Sequence, residues 1–177
     1  MGPLSLRLAQ RDDLAAIETV MDRAIADLQT PFLDDSQIAS SRAIMGLDTQ
    51  LVEDGTYFVV ESNGELAGCG GWSRRATLYG GDRTSGRSAV LLNPATDAAR
   101  VRAMYTDPRH TRRGVGRLIL SACEEAARRE GFRTMELMST LSGEPLYLAC
   151  GYQPLERLSD ARGGVPVPLV RMSKALY

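Results

Sequence analysis

The sequence predicts an α/β domain built on a mixed β-sheet, and two observations carry this prediction. The first is a hairpin signal, since two strand-like segments, residues 57–61 and 66–72, flank Asn63-Gly64, a dipeptide typical of two-residue turns. The second is the order of elements over residues 99–157, where a strand, a glycine-rich turn, a helix, a strand, a helix and a strand follow one another. The hairpin supplies the antiparallel half of the sheet.

Length and composition indicate one domain over residues 1–177. The 177 residues are 44% hydrophobic and 24% charged, which is ordinary for a chain with a substantial core. A net charge of -1 at pH 7 gives no general attraction to nucleic acids or membranes. No segment has the length and hydropathy of a membrane span or of a signal-peptide core. We therefore expect a cytoplasmic protein that binds neither nucleic acid nor membranes.

Cysteine and histidine usage argues against disulfides and metal sites. Cys69, Cys123 and Cys150 are odd in number, widely spaced and mostly flanked by apolar or small residues, which favours reduced thiols in a core. The chain has a single histidine and no paired Cys or His spacing. We expect no bound metal.

Further elements lie on both sides of the central segment. Alternating leucines predict a first strand over residues 4–8, and an apolar stripe at helical spacing predicts a helix over residues 14–28. A second helix is predicted over residues 36–46. Residues 73–98 are rich in Gly, Arg, Ser, Thr and Asp, which predicts a long loop, mobile or function-bearing. The prolines of a final strand near residues 165–172 place it at a sheet edge or delay its pairing.

The most informative segment begins as a strand and continues into a helix. Val101, Ala103 and Tyr105 are the apolar residues of an alternating pattern that Asp107-Pro108 ends. The run Arg112-Arg113-Gly114-Val115-Gly116-Arg117 then opens the helix. Unpaired N–H groups, the positive end of a helix and several arginines thus meet in one small volume, which suits a pyrophosphate group.

The glycines and arginines of this turn each contribute to anion binding. Without a Cβ at Gly114 and Gly116, the backbone can turn sharply and come within hydrogen-bond reach of phosphate oxygens. Arg112, Arg113 and Arg117 add planar, multidentate donors. A solvated basic loop before an ordinary helix is the alternative interpretation of so short a motif.

The residues that follow the turn support the first interpretation. Apolar residues recur at helical spacing from Val115, and Gly131 stands where a C-terminal cap is expected. Residues 132–139 then predict a strand. Residues 142–152 predict a short helix, with a proline near its first turn and Gly151 at its end.

At this point the sequence resembles the GNAT superfamily of acyl-coenzyme A dependent N-acetyltransferases. The family's pyrophosphate loop, Gln/Arg-x-x-Gly-x-Gly/Ala, is matched by Thr111-Arg112-Arg113-Gly114-Val115-Gly116. Its Tyr-x-x-x-Gly-Phe/Tyr ending is matched by Tyr147-Leu148-Ala149-Cys150-Gly151-Tyr152. The match is specific over about residues 99–157. Thr111 departs from the family's Gln or Arg, and the neighbouring arginines can take over its contact.

The resemblance implies a fold and a co-substrate, acetyl-coenzyme A. The implied fold is a mixed sheet of about six to seven strands with about four helices, whose parallel strands are splayed at the cofactor site. The pantetheine arm would pair with Met104, Tyr105 and Thr106, and the loop amides of residues 112–117 would take the pyrophosphate. Ser142 is either a further cofactor contact or the cap of the short helix.

The resemblance also implies direct transfer of an acetyl group from the thioester to an amine. Tyr147 matches the family's tyrosine near the cofactor sulfur and would donate a proton to the departing thiolate, although a packing role is the alternative. Glu136 is the candidate general base, with Glu61, Asp107 and a water chain as alternatives. A positioning or surface role is expected for His110.

Acceptor recognition is expected from the variable segments, residues 31–37 and the segment after Trp72 through Asp82. Phe32, Trp72 and Tyr79 are the candidate wall of an acceptor site, although Trp72 alone would be typical of a core residue. The pair Asp34-Asp35 would either attract an amine or serve as helix-start charges. The pair Arg74-Arg75 would either select an acidic acceptor or protect a sheet edge.

The sequence is compatible with two classes of function. The first is an enzyme that acetylates the amine of a small molecule or a peptide. The second is a non-catalytic acyl-coenzyme A binding or sensing module. A P-loop nucleotide-binding protein is excluded because the chain has no Gly-x-x-x-x-Gly-Lys-Ser/Thr motif. The resemblance and an exposed edge expected among the C-terminal strands favour a homodimer.

Overall fold

A seven-stranded mixed sheet organises the chain in the computed structural model, which describes residues 1–177. The strands are β1 (Ser5–Leu8), β2 (Tyr57–Ser62), β3 (Glu65–Ser73), β4 (Ala99–Thr106), β5 (Thr134–Thr140), β6 (Gln153–Asp160) and β7 (Val167–Ala175). The helices are α1 (Leu14–Asp27), α2 (Asp35–Ser41), α3 (Thr49–Glu53), α4 (Val115–Arg129) and α5 (Glu144–Ala149). None of these helices is long and apolar enough to cross a membrane.

The strand order is β1-β2-β3-β4-β5-β7-β6. The β2–β3 hairpin turns at Asn63-Gly64, as the sequence predicts, and both turn residues have positive φ. All neighbouring strands are antiparallel except β4 and β5, which are parallel. The predicted mixed sheet is confirmed, with five helices where about four were expected.

Helices cover both faces of the sheet. On one face α4 buries Ile119, Cys123 and Ala127 completely, as its apolar stripe predicts. Gly68 in β3 permits this close approach, because a Cβ there would lie 2.4 Å from Val115 Cγ1. On the other face α1 packs Ile17 and its neighbours against β2, β3 and β4. The sheet therefore separates two apolar layers.

The helix predicted over residues 36–46 is shorter than expected. It ends at Ser41, and residues 42–44 continue as turn. The chain then forms α3, which the sequence analysis does not predict. Its N-cap is Asp48, whose carboxylate accepts a hydrogen bond from the Gln50 N–H at 3.2 Å.

Of the two alternatives predicted for the last strand, the edge position is wrong and the delayed pairing is observed. β7 lies between β5 and β6, and β6 is the edge strand at that end of the sheet. The β5–β7 pairing starts at Leu169, so Pro166 and Pro168 precede the part of β7 that has neighbours on both sides. Prolines are tolerated there because β7 pairs only with β6 over its first residues.

Candidate active site

A cavity opens where β4 and β5 separate. The two strands pair only at Ala99–Met135 and Arg100–Glu136, so β4 has no sheet neighbour on that side from Val101 to Thr106. A cavity of about 670 Å³ fills the gap. It extends from the loop before α4, past α5, to the C-terminal end of α1. The splayed strands expected from the family resemblance are present.

A β-bulge in β4 sets which way the cavity-lining residues face. Ala103 and Met104 together oppose Gly70, and Ala103 has φ +48°. The Tyr57 hydroxyl donates a hydrogen bond to the Ala103 carbonyl at 2.8 Å. As a result Val101 packs in the layer beside α4, whereas Tyr105 packs in the layer beside α1. The simple alternation predicted for this strand is therefore wrong.

The turn before α4 presents free amides to the cavity. Gly114 is the N-cap of α4, has φ +87° and carries no side chain to cap the helix. The first-turn N–H groups of α4 have no partner within the chain. Arg112 and Arg117 are exposed and line the same cavity, next to this positive helix end. The arrangement suits a bound anion such as a pyrophosphate.

The two glycines of the turn meet different requirements. A Cβ on Gly114 would contact nothing within 4 Å, so its positive φ is the reason for glycine there. Gly116 has ordinary helical geometry, but its Cβ would lie 2.6 Å from Leu146 Cδ2 in α5. Gly114 shapes the turn, and Gly116 leaves room for the end of the Leu146 side chain.

Arg113 points away from the cavity, contrary to the sequence-based expectation for its side chain. Its guanidinium donates hydrogen bonds to the Gly2 carbonyl at 2.7 Å and to Ser62 Oγ at 3.3 Å. A third contact joins it to His110 Nδ1 at 2.6 Å. Arg112 lines the cavity, whereas Arg113 does not. Arg113 therefore anchors the N-terminal segment.

Tyr147 reaches the cavity from α5. It is 8% exposed, and its ring packs edge-to-face on Tyr152 with centroids 5.8 Å apart. Burial raises the pKa of the Tyr147 phenol above its ordinary value, so the group keeps its proton at neutral pH. A protonated phenol at this position is able to act as a hydrogen-bond or proton donor.

Ser142 also lines the cavity, and its hydroxyl lies 3.1 Å from Thr140 Oγ1. The alternative that Ser142 caps the short helix is wrong, because the N-cap of α5 is Gly143. Thr111 lines the cavity as well, and its hydroxyl donates a hydrogen bond to the Pro108 carbonyl at 3.3 Å.

Glu136 is not placed to act as a base in this cavity. It lies where β4 and β5 still pair, and its carboxylate binds Arg100 at 2.7 Å and also Arg171. The two alternative carboxylates are engaged elsewhere as well: Glu61 pairs with Arg7 at 2.8 Å, and the fully buried Asp107 pairs with Arg23 at 3.0 Å. No aspartate or glutamate lines the cavity. The site therefore offers no carboxylate base.

The three candidate acceptor residues separate into two groups. Phe32 and Tyr79 line the cavity, and the Tyr79 hydroxyl donates a hydrogen bond to Asp160 at 2.7 Å. Trp72 does not line it, because its side chain is 2% exposed and packs edge-to-face on Phe132 in the core. The acceptor role expected for Trp72 is wrong.

The charged pairs near the predicted acceptor segments have structural partners. Asp34 forms a capping box at the start of α2 with Gln37. Arg74 pairs with Glu130 at 2.5 Å, and Arg75 pairs with Asp54 at 2.8 Å. None of these groups lines the cavity.

Most predicted cofactor residues do meet around one cavity. Those that line it are Met104, Tyr105, Thr106, Thr111, Arg112, Gly114, Val115, Gly116, Arg117 and Ser142. His110 lines it too.

Arg102 is a cavity residue that the sequence analysis misses. Its buried guanidinium binds Asp48 at 2.7 Å, the Thr77 carbonyl at 3.2 Å and the Gly80 carbonyl. These bonds hold the loop of residues 73–98 over the cavity, where Leu78, Tyr79 and Gly80 form part of the wall. The sequence gives little signal for this role, because Arg102 is one of two arginines at alternate positions in β4, the other being Arg100.

Solved structures with the same fold are acetyltransferases. A GCN5-related N-acetyltransferase from Rhodopseudomonas palustris is 19% identical, with a TM-score of 0.73 and coverage of 99% of this chain and 98% of that one. The yncA protein of Salmonella typhimurium, solved with its cofactor acetyl-CoA, is 20% identical, with a TM-score of 0.65 and coverage of 98% and 94%. The PaiA N-acetyltransferase of Thermoplasma acidophilum, solved with coenzyme A, is 13% identical, with a TM-score of 0.66 and coverage of 98% and 99%.

The sequence-based comparison agrees with this structural class. A family model described as the acetyltransferase (GNAT) family matches residues 18–152. This chain belongs to the GNAT acetyltransferase family. No curated protein matches the chain significantly.

Proposed function

We propose that this protein transfers the acetyl group of acetyl-coenzyme A to a primary amine of a small molecule or a peptide, with residues 1–177 acting as one N-acetyltransferase domain. The observation that carries the proposal is a single cavity that joins three features. These are the free amides of the turn before α4, the unpaired side of β4 and the hydroxyl-bearing ring of Tyr147.

The cavity residues suit the parts of acetyl-coenzyme A, which acts here as co-substrate. Amides of residues 112–117, with Arg112 and Arg117, would hold the pyrophosphate. The unpaired backbone of Met104, Tyr105 and Thr106 would pair with the amide groups of the pantetheine arm, as a neighbouring strand does. Two structural neighbours were solved with acetyl-CoA or coenzyme A, which supports this choice.

The proposed reaction is a direct transfer. The lone pair of the neutral amine attacks the thioester carbonyl carbon, so that a C–N bond forms and the C–S bond breaks. Tyr147 donates its hydroxyl proton to the departing thiolate sulfur. The proton that the new amide nitrogen loses passes to water, and water returns a proton to Tyr147. An amine and a thioester thus become an amide and a free thiol.

Water is the proposed proton acceptor, because no carboxylate lines the cavity and the His110 imidazole is engaged with Arg113 at 2.6 Å. The amine then has to reach the thioester in its neutral form. The same observation favours a second candidate function, in which the protein binds an acyl-coenzyme A and senses it without turnover.

We also propose a cytoplasmic location and a homodimer. The three cysteines are free thiols, in agreement with a reducing compartment. The edge strand β6 exposes most of its residues, Leu155 among them, and offers a surface for a second copy.

Two measurements test the proposed function. The first is thermal unfolding with and without acetyl-coenzyme A, and the second is thiol release with a panel of primary amines. A ligand that binds only the folded state stabilises it by about 2.7 kcal/mol at a hundredfold excess over its Kd. We expect a rise in Tm and amine-dependent thiol release. A rise in Tm without release on any amine would favour the sensing module, and no rise would refute the co-substrate.

Arg113→Ala and Arg117→Ala should separate anchoring from anion binding. Arg113→Ala is expected to lower the free energy of unfolding by about 1–2 kcal/mol through lost hydrogen bonds, and to leave the Kd for coenzyme A within about threefold. Arg117→Ala should weaken coenzyme A binding by about tenfold. Calorimetry measures both constants. Equal losses of affinity in the two variants would contradict the assigned role of Arg113.

A further inference from the structure

The cavity passes through the sheet from one face to the other. Leu137 and Met138 are consecutive residues of β5, and both line the cavity. Successive side chains of a strand point to opposite faces. Leu137 packs in the apolar layer beside α4. Met138 packs on the other face with Ile44 and Leu169, which also line the cavity. The separation of β4 and β5 therefore joins the two faces in one cavity.

The groups that suit coenzyme A lie on the α4 side of this cavity. They are the free amides of the turn before α4, the guanidinium groups of Arg112 and Arg117, and the Tyr147 phenol. Coenzyme A held by these groups fills that side. An amine that attacks the thioester then has to reach it from the opposite face, through the gap between β4 and β5.

The cavity wall on that opposite face is mostly apolar. Its side chains come from the end of α1, from the turn after α2, from β5 and from β7, namely Leu28, Phe32, Ile44, Met45, Met138 and Leu169. All but Phe32 pack in the two apolar clusters of this face. Phe32 is 47% exposed, so it forms the rim of the wall toward solvent. An acceptor held here therefore needs an apolar body.

The charged residues of the cavity leave no counter-charge for this wall. No aspartate, glutamate or lysine lines the cavity. Of the basic residues that do, His110, Arg112 and Arg117 belong to the segment that leads into α4. The remaining one is Arg102, whose charge is compensated by Asp48 at 2.7 Å. A second charged group on the acceptor would thus lose its hydration without gaining an ion pair.

We propose that the acceptor is a primary monoamine whose apolar body lies against Phe32, Met138 and Leu169 and which carries no second charged group. This inference rests on the proposed acetyl transfer and specifies its acceptor class. It selects alkylamines and arylalkylamines, and it excludes free amino acids and polyamines. Met45 and Met138 have flexible side chains that adapt to differently shaped partners, so linear and aromatic bodies should both fit.

Three comparisons of amines test the acceptor class. Hexylamine has two more methylenes than butylamine, and their burial should lower the Kd about fifteenfold. Compared with butylamine, 1,4-diaminobutane adds an ammonium group, and phenylalanine adds a carboxylate to phenethylamine. Each added charge should raise the Kd at least about tenfold. Calorimetry on the full chain saturated with coenzyme A measures the Kd values, and thiol release is measured with acetyl-coenzyme A.

Phe32→Asp and Leu8→Asp provide the matched variants. Phe32→Asp places a carboxylate at the rim of the apolar wall, and should bring the Kd ratio of 1,4-diaminobutane to butylamine to about one or below. Leu8 is 49% exposed and does not line the cavity, so Leu8→Asp adds the same charge elsewhere and should leave the ratio unchanged. Thermal unfolding checks that both variants fold. If Phe32→Asp does not fold, the three comparisons in the wild-type chain still decide the question.

The outcomes distinguish the two proposals. Equal Kd values for hexylamine and butylamine, an added charge that does not raise the Kd, a ratio unchanged in Phe32→Asp, or no binding by any of these amines would overturn the acceptor class. Selective binding of the apolar amines without thiol release would refute the acetyl transfer while supporting the apolar site. Thiol release from 1,4-diaminobutane and phenylalanine as efficient as from butylamine and phenethylamine would support the transfer and overturn the acceptor class.

Discussion

Gly114→Val is expected to weaken coenzyme A binding at least about a hundredfold. Gly114 has φ +87°, a conformation that costs an L-residue about 1–2 kcal/mol and a β-branched one more. The turn would relax and move its free amides away from the pyrophosphate. Losing two charge-assisted hydrogen bonds removes about 3–6 kcal/mol of binding free energy, which corresponds to a hundredfold change or more. Calorimetry with coenzyme A measures the effect.

Gly164→Val is the matched control. Gly164 has φ +103°, and a Cβ there would contact nothing within 4 Å, as at Gly114. It does not line the cavity. The control should therefore carry a similar backbone strain and leave the Kd for coenzyme A unchanged. If both variants bind coenzyme A as the wild-type chain does, the turn before α4 does not hold the pyrophosphate.

Tyr147→Phe is expected to slow thiol release on the order of a hundredfold while the Kd for coenzyme A is kept. Loss of a general acid typically costs a factor of about 10²–10⁴, and a thiolate leaves readily enough to place this case at the low end. The ring and its packing on Tyr152 remain in the variant. Steady-state kinetics with a saturating amine measures kcat, and calorimetry measures the Kd for coenzyme A. Together they distinguish loss of the proton donor from loss of binding.

Tyr152→Phe is the control for this substitution. Tyr152 is the ring partner of Tyr147, does not line the cavity, and has a buried hydroxyl without a partner. Its removal should leave kcat unchanged and stability equal or higher. Undiminished thiol release in Tyr147→Phe would remove Tyr147 from the chemistry.

The pH profile of the wild-type chain gives an independent check on Tyr147. Burial raises the phenol pKa above its ordinary value of 10.0, so the proton donor stays protonated as pH rises to that value. The amine, in contrast, becomes reactive as it loses its proton. The rate with a given amine should therefore rise toward the pKa of that amine, with no decline from Tyr147 below pH 10.

The sequence predicts the parts of this protein that depend on neighbouring residues. The Asn63-Gly64 turn, the helix after Gly114 and its end near Gly131 all follow from local backbone preferences and from the spacing of apolar residues. For the same reason, nearly all predicted cofactor residues meet at one cavity, because a strand, a turn and a helix that adjoin in sequence also adjoin in space.

The environment of the candidate base and of the loop over the cavity depends on contacts between segments far apart in the chain. In the sequence Glu136 is an ordinary carboxylate on a strand. The fold places Arg100 of β4 and Arg171 of β7 beside it. The buried guanidinium of Arg102 is neutralised by Asp48 and bonded to the Thr77 and Gly80 carbonyls, all from segments that precede β4 in the chain. Ion pairs, the β4 bulge and unpaired buried atoms arise from tertiary packing, since each requires a partner that local sequence patterns do not specify.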